Sequence, residues 1–463
     1  MNRLLRKPSH SGPREAPGKF EKFHLIENPF PSEPVVNQDS TDRRINGDIY
    51  EGEIRRKEYQ QIEANFLKQA QADPNHLRLG FILDTSYIGR GNGKSAFLIN
   101  LQTDINAEYC LDISDGENKC FAAYVTPEPG GRTKTFPSFV DLIFESILRS
   151  GAVDSSLATL LLEAIGQVYP DLRLDEDDEE ALTRNLFSSG WYSENQIDLR
   201  KLLDAIYANE SLQDLPSEFP LFVGRRSLLR ELVTPTHFKT YYEQLKKGKD
   251  RLEFVFTHLI RLFQAAGFNG AYLLVDDFER IPTFQSARQK KDFALELRSC
   301  LFDGLYLNAR LGFYDFFLVL HAGLPRMLAE AWQESGMENR CPIQPAVESR
   351  HIIPFEKLSK DHAALLLKTY LAAYRISGSR CDPLFPFSNG SVSAIGEASE
   401  YNAAKILKTS YDLLEQAALE EGVVEIDEKF VAENKERHQT AVDKAVKGID
   451  TAPTTDLRKK AEE

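Results

Sequence analysis

Five short apolar runs, at 79–83, 121–125, 271–275, 316–320 and 351–354, constrain the fold of this chain more than any other feature. Each is bounded by turn residues, and helical segments separate one from the next. Runs that are apolar at every position, rather than at alternate ones, belong to strands covered on both faces. The expected fold class is therefore α/β, with a doubly wound parallel sheet. A βαβ unit takes roughly 30 residues, yet the second and third runs lie much further apart, so an insertion is expected over 150–250. Leu157, Leu160, Leu161, Ala164, Ile165 and Val168 share one helical face, so the insertion should be helical. It also contains six consecutive acids at 175–180, which read as a solvated loop.

The flanks differ from this core. Residues 1–22 carry six Lys/Arg against two Glu, with three prolines, and read as a disordered basic tail. The segment FHLIENPFPSEPVV follows, an expected extended strap pinned by its aromatics. Ile54, Tyr59, Ile62 and Phe66 recur at helical spacing, so a helix is expected over 47–72, stopped by Asp73-Pro74-Asn75. After residue 358 the strands give way to helices. One begins at a Ser359 N-cap; a second, NAAKILKTSYDLLEQAALEEG, is expected to end at Gly422 as its C′ residue.

Composition excludes several classes. Apolar residues at 42% and charged residues at 27% are ordinary for a globular chain. Asp plus Glu outnumber Lys plus Arg 70 to 56, a net charge of −14, which argues against a protein that coats nucleic acid everywhere. No apolar run approaches the ~18 residues of a membrane span, and the basic N-terminus lacks the apolar stretch of a secretory signal. The five cysteines are scattered, with no CxxC pair, so neither a zinc site nor a disulfide framework is indicated. A reduced, cytoplasmic setting is expected.

The strongest chemical signal is Gly89-Arg90-Gly91-Asn92-Gly93-Lys94-Ser95, directly after the run LGFIL and before SAFLINLQ. Binding a triphosphate needs backbone N–H groups curled around it, hence residues free of Cβ clashes. It also needs a helix N-terminus facing the anion, a lysine for the β/γ-oxygens and a hydroxyl for Mg²⁺. Gly89, Arg90, Gly91, Asn92, Gly93, Lys94, Ser95 and Ala96 are the candidate ATP-binding residues. The string departs from GxxxxGK[ST] because Ile88 holds the first glycine position, with Gly89 beside it as the candidate replacement. The plainer reading is a glycine-rich turn that happens to precede Lys-Ser.

A second element is AYLLVDDFER. Asp276 at the end of the run is placed to hold Mg²⁺ together with Ser95. Asp277 or Glu279 could polarise the attacking water, Asp277 being preferred because it directly follows Asp276. The plainer reading is a strand that ends in a charged turn. The third element, DFFLVLHAGLPRML, brings His321 to a strand end, where it is either functional or an ordinary hydrogen-bonded histidine.

A glycine loop, an acidic strand end, a polar strand end and a helical unit together resemble AAA+ and STAND-type P-loop ATPases. The NPF strap, HAGLP, Arg350 and LSKDHAALLL extend the resemblance to origin-recognition-type initiators and transposition-helper ATPases, across residues 25–435. It implies an ATP-hydrolysing, Mg²⁺-dependent switch or motor and a γ-phosphate sensor at His321. It also implies a homo-oligomer in which Arg340 or, preferably, Arg350 reaches a neighbouring subunit. Partner proteins are implied, with DNA as a further partner, in mobile-element control or phage defence. The corresponding layout is a tail and strap over 1–45, a helix over 46–76, an ATPase core over 77–357, a helical lid over 358–435 and a tail over 436–463.

Two departures stand out. Asp277 holds the place usually taken by Glu, and DDFER is closer to the Asp-Asp-x-Asp-Arg of KAP-type NTPases. The lid's Asn-Pro-Arg sensor is matched by Asn402-Ala403-Ala404-Lys405, with Lys405 at the arginine's place. The rival reading is a slow-hydrolysing regulatory scaffold without DNA contact. The basic candidates for DNA are the N-terminal tail, Arg225-Arg226, Lys246-Lys247-Lys249 and Arg288-Lys290-Lys291, each of which also reads as a solvated helix face.

Overall fold

The structure, a computed structural model, describes residues 18–69, 73, 75–85, 90–172, 174, 179–222, 232–344 and 349–434. The five apolar runs form one all-parallel sheet of β1 (Leu79–Asp84), β2 (Cys120–Val125), β3 (Gly270–Val275), β4 (Tyr314–Leu320) and β5 (Ile352–Phe355). Their order across the sheet is β2-β3-β4-β1-β5. Almost every strand side chain is buried, which is why the runs are apolar throughout and do not alternate. The chain divides into two compact units: Lys57–Tyr87 with Leu98–Phe355, and Met1–Arg56 with Ile88–Phe97 and Glu356–Glu463. The glycine loop groups with the C-terminal helices, and the sheet unit begins at Lys57 and ends at Phe355.

In the sheet unit, Val125 pairs with Val275, Val275 with Leu318, and Leu83 with Leu320. The four strands therefore end at one edge. Gly80 sits inside β1 because the Phe66 ring closes on it. A Cβ there would lie 2.8 Å from Phe66 and 2.9 Å from Phe317, whose rings are 4.6 Å apart. The insertion is helical as expected, with helices at Ala152–Val168, Glu179–Leu186, Ser189–Glu194, Leu199–Tyr207 and Pro235–Gln244. Tyr242 and Arg251 both donate to Asp141 Oδ1, at 2.7 and 2.8 Å, and so tie this region to the helix Phe136–Arg149. The acid run lies largely outside the described residues; Glu179 and Glu180 begin a helix.

The N-terminal helix is shorter than expected. A 3-10 turn at Gly52–Arg55, an α-helix at Arg56–Ile62 and a π turn at Glu63–Leu67 stand where a continuous helix is expected over 47–72, of which 70–72 lie outside the described residues. At its start the cause is turn chemistry. Asn46 Oδ1 accepts from the Asp48 N–H at 2.9 Å, and Gly47 is left-handed with φ 101°.

In the other unit the strap is pinned by aromatics, but its start is not extended: Glu21–Phe23 form a 3-10 turn and His24 is left-handed, with φ 56°. The Phe30 ring lies 6.2 Å from Tyr370 and 5.8 Å from Phe387, and Arg375 donates to the Phe23 carbonyl at 3.1 Å. Helices follow at Lys360–Ala373, Asn389–Ala398 and Ala403–Leu419. Ser359 caps the first, its Oγ accepting from the His362 N–H at 3.1 Å. The third of these helices stops at Leu419, and Gly422 is not a left-handed C′ residue. Lys22 takes over that task, its Nζ donating to the Ala417 and Glu420 carbonyls at 2.7 and 2.6 Å. Among the described residues no helix is long and apolar enough to cross a membrane.

A buried ion pair joins the amino end of β4 to the segment before β1. His76 Nε2 lies 2.7 Å from Asp315 Oδ2, and both side chains are almost fully enclosed. Burial alone would lower the imidazole pKa, and Arg78 adds to that. The Asp315 carboxylate outweighs both by charge and hydrogen bond, so the pKa stands above its ordinary 6.5. A raised folded pKa contributes stability that is complete below the unfolded pKa and is lost as pH rises through the folded one. Thermal unfolding should therefore show the wild type losing its margin over His76→Gln as pH rises from the ordinary imidazole value of 6.5 through the raised folded one. The loss should be about 1.4 kcal/mol for each pH unit by which the folded pKa exceeds the unfolded one. Parallel curves for the two proteins would contradict this assignment.

Candidate functional site

At the carboxyl edge of the sheet, Asp276 follows β3 and is buried, and both its carboxylate oxygens are engaged. Tyr124, one residue from the end of β2, donates its hydroxyl to Asp276 Oδ2 at 2.6 Å. The Asp277 N–H donates to Oδ1 at 2.8 Å. Burial, then the neighbouring Asp276 charge, pushes the Tyr124 pKa far up, so this hydroxyl stays a proton donor. Tyr124 was not legible as a site residue. Its place depends on the β2–β3 register, in which Tyr124 lies opposite Leu274.

Asp277 takes a left-handed backbone, φ 45° and ψ 39°, and opens the 3-10 turn Phe278–Arg280. A non-glycine residue rarely adopts this region, although Asp tolerates it better than most. The turn folds Arg280 back onto the Asp277 carboxylate in an ion pair, and Arg280 also donates to the Pro127 carbonyl at 3.0 Å. It carries Glu279 to His321, just past β4, with Oε1 2.9 Å from Nε2. One ligand-type atom from each of Asp277, Glu279 and His321 falls within 4.8 Å of the others. The three strand-end residues picked from the sequence are thus gathered at one point.

The glycine loop belongs to the other unit. Gly91 and Gly93 are left-handed, with φ 106° and 82°, as a loop free of Cβ atoms requires. The Gly93 carbonyl accepts from the Phe97 N–H at 3.0 Å, opening the 14-residue helix Lys94–Ala107. The amides of Lys94, Ser95 and Ala96 therefore lie in the first turn, ahead of any intrahelical acceptor. Lys94 is buried and Ser95 is half-buried. A cradle of amides at a helix N-terminus beside a lysine suits an oxyanion. The hard oxygens of Ser95 and Asp276 are donors that suit Mg²⁺. In composition and loop conformation, these residues fit a nucleotide and its metal.

Within the same unit the loop is held from outside. Asn402 Nδ2 donates to the Arg90 carbonyl at 3.0 Å, and the Ala404 N–H donates to the Gly91 carbonyl at 2.9 Å. Arg55 donates to the carbonyls of Asn92 and Glu356, at 2.9 and 3.0 Å. Neither Arg55 nor Asn402 declares this part in the sequence. Lys405, at the place of the sensor arginine, is paired with Glu400 at 2.8 Å. Gly89 lies outside the described residues.

Arg350 is exposed, two residues before β5. Arg340 lies over the Phe302 ring. Of the basic candidates, residues 1–17 of the tail expected over 1–22 and Arg225-Arg226 lie outside the described residues; the end of that tail is not disordered as expected, since Phe20 is buried and Lys19 pairs with Glu415. Arg288 faces Asp292 at 3.8 Å and Lys291 pairs with Glu334 at 3.0 Å, while Lys246, Lys247 and Lys249 are exposed. No family model, no curated protein and no solved structure matches the chain.

Proposed function

We propose that this chain binds ATP with Mg²⁺ and hydrolyses it as an AAA+-like switch or motor. The observation that carries the reading is the loop itself: two left-handed glycines, then a buried lysine at the first turn of the helix that follows β1 in sequence. Acids and a histidine at the carboxyl edge of the same kind of parallel sheet add to it, since ligands of open α/β sheets bind beyond that edge.

In this reading Lys94 and the amides of residues 91–96 hold the phosphates. Ser95 and Asp276 are each a candidate oxygen donor for Mg²⁺, which would supply charge neutralisation on the phosphate oxygens. Tyr124 and the Asp277 amide keep the Asp276 carboxylate oriented. The water-orienting role passes from Asp277 to Glu279, because Asp277 is paired with Arg280 whereas Glu279 is steadied by His321. Glu279 takes the proton of the attacking water as the new P–O bond forms and the bond to the bridging oxygen breaks.

Tyr124→Phe removes one donor from Asp276, a net loss of about 0.5–1.5 kcal/mol. The Mg²⁺ concentration for half-maximal turnover should rise roughly 2- to 10-fold, with the thermal midpoint little changed. An unchanged Mg²⁺ dependence would remove Tyr124 from this role.

The rival, a slow-hydrolysing regulatory scaffold, is favoured by one observation: both candidate acids are engaged inside the chain, one by Arg280 and one by His321. Assembly into a homo-oligomer and with partner proteins, with DNA as a further partner, rests on the resemblance, to which the exposure of Arg350 adds one compatible feature. Steady-state turnover, measured across chain concentrations and with duplex DNA, separates the two. Specific activity that climbs with concentration or with DNA supports the motor, and flat, slow turnover supports the scaffold.

A further inference from the structure

We propose that Asn402 and Arg55 are positioning residues that set the glycine loop before nucleotide arrives; the proposal rests on the reading of that loop as the nucleotide site. Three consecutive loop carbonyls, those of Arg90, Gly91 and Asn92, accept hydrogen bonds from groups far away in sequence: Asn402 Nδ2, the Ala404 amide and the Arg55 guanidinium. A peptide group is planar and trans, so its N–H points opposite to its C=O. Fixing these three carbonyls therefore fixes the N–H directions of Gly91, Asn92 and Gly93, away from the groups that hold them. Those amides are the donors an anion in the loop would use.

The approach is close enough to explain the residue at the centre. A Cβ on Gly91 would stand 2.7 Å from both the Ala404 Cβ and Asn402 Oδ1. Asn402 is fully buried and does two things with one amide. Its Oδ1 accepts from the Lys405 N–H at 3.1 Å as the N-cap of the helix Ala403–Leu419, while its Nδ2 holds the loop. A loop ordered in advance loses less freedom on binding, so affinity should depend on this clamp. By reciprocity, nucleotide should tighten the first turn of that helix, giving loop occupancy a readout in the C-terminal helices.

The two functions of Asn402 can be separated. Serine is an equally good, uncharged N-cap, but its side chain is too short to reach the Arg90 carbonyl. In the full chain, Asn402→Ser should leave the thermal midpoint within about 2 °C of wild type. It should weaken binding of a fluorescent ADP analogue about 10-fold. Without nucleotide, hydrogen exchange at the Ala404 amide and through residues 90–93 should speed up. Arg55→Lys, which keeps the charge but loses the two-pronged donor, should act in the same direction and decides the matter if Asn402→Ser does not fold. ADP affinity within twofold of wild type, or unchanged exchange in the nucleotide-free chain, would overturn the clamp. If wild type binds no ADP, the nucleotide reading falls, and the exchange measurement still decides whether Asn402 and Arg55 hold the loop.

Discussion

Glutamine in place of Glu279 is expected to cut ATP turnover by about 10²- to 10⁴-fold, the usual contribution of a positioned general base. Nucleotide binding should be retained, because the side chain stays the same size and the proposed contacts to phosphate come from elsewhere. The structural ground is the pairing of Glu279 with His321 at 2.9 Å, against the pairing of Asp277 with Arg280. Asp277→Asn should accordingly keep turnover within several-fold of wild type. The comparison is decisive in either direction: if Asp277→Asn abolishes hydrolysis while Glu279→Gln spares it, the roles are reversed. Single-turnover assays at saturating ATP, with binding measured in parallel, separate the chemical step from affinity.

Alanine in place of Lys94 is expected to act on binding itself. A hydrogen bond to a charged group is worth about 1.5–3 kcal/mol, which corresponds to a loss in ATP affinity on the order of 10- to 100-fold. The fold should survive, since Lys94 lies in the first turn of its helix and alanine is the best helix former. Equal affinity in wild type and Lys94→Ala would place the phosphates somewhere other than this loop.

The parts of this molecule that were legible in its sequence are those encoded over a few neighbouring residues. The five strands announced themselves because buried parallel strands are apolar at every position. The glycine loop did so because left-handed turns and a helix N-terminus need particular letters side by side. Ser359 was readable as a cap for the same reason. What was not legible depends on distant pairings. Tyr124 looks like one more aromatic in CFAAYV until the β2–β3 register, closed across the long helical insertion, lays it beside Asp276. Lys22 ends a helix nearly 400 residues away, in the role the sequence suggested for Gly422. Asp277 ranked above Glu279 in the sequence only by adjacency to Asp276, because the feature that distinguishes them is a left-handed backbone at a non-glycine residue, which throws one acid onto Arg280 and the other onto His321. Arg55 is reported by no local pattern, and Asn402 stood out only as part of the sensor-like Asn402-Ala403-Ala404-Lys405; their hold on the loop was not legible, since what they bind is backbone and backbone has no letter.

Calorimetric titration of the full chain with a non-hydrolysable ATP analogue, in the presence of Mg²⁺, tests the central claim most directly. Saturable binding of one nucleotide per chain is expected, weakened on the order of 10-fold or more in Lys94→Ala. The absence of saturable binding up to about 1 mM analogue, a free energy of only about −4 kcal/mol, would contradict it.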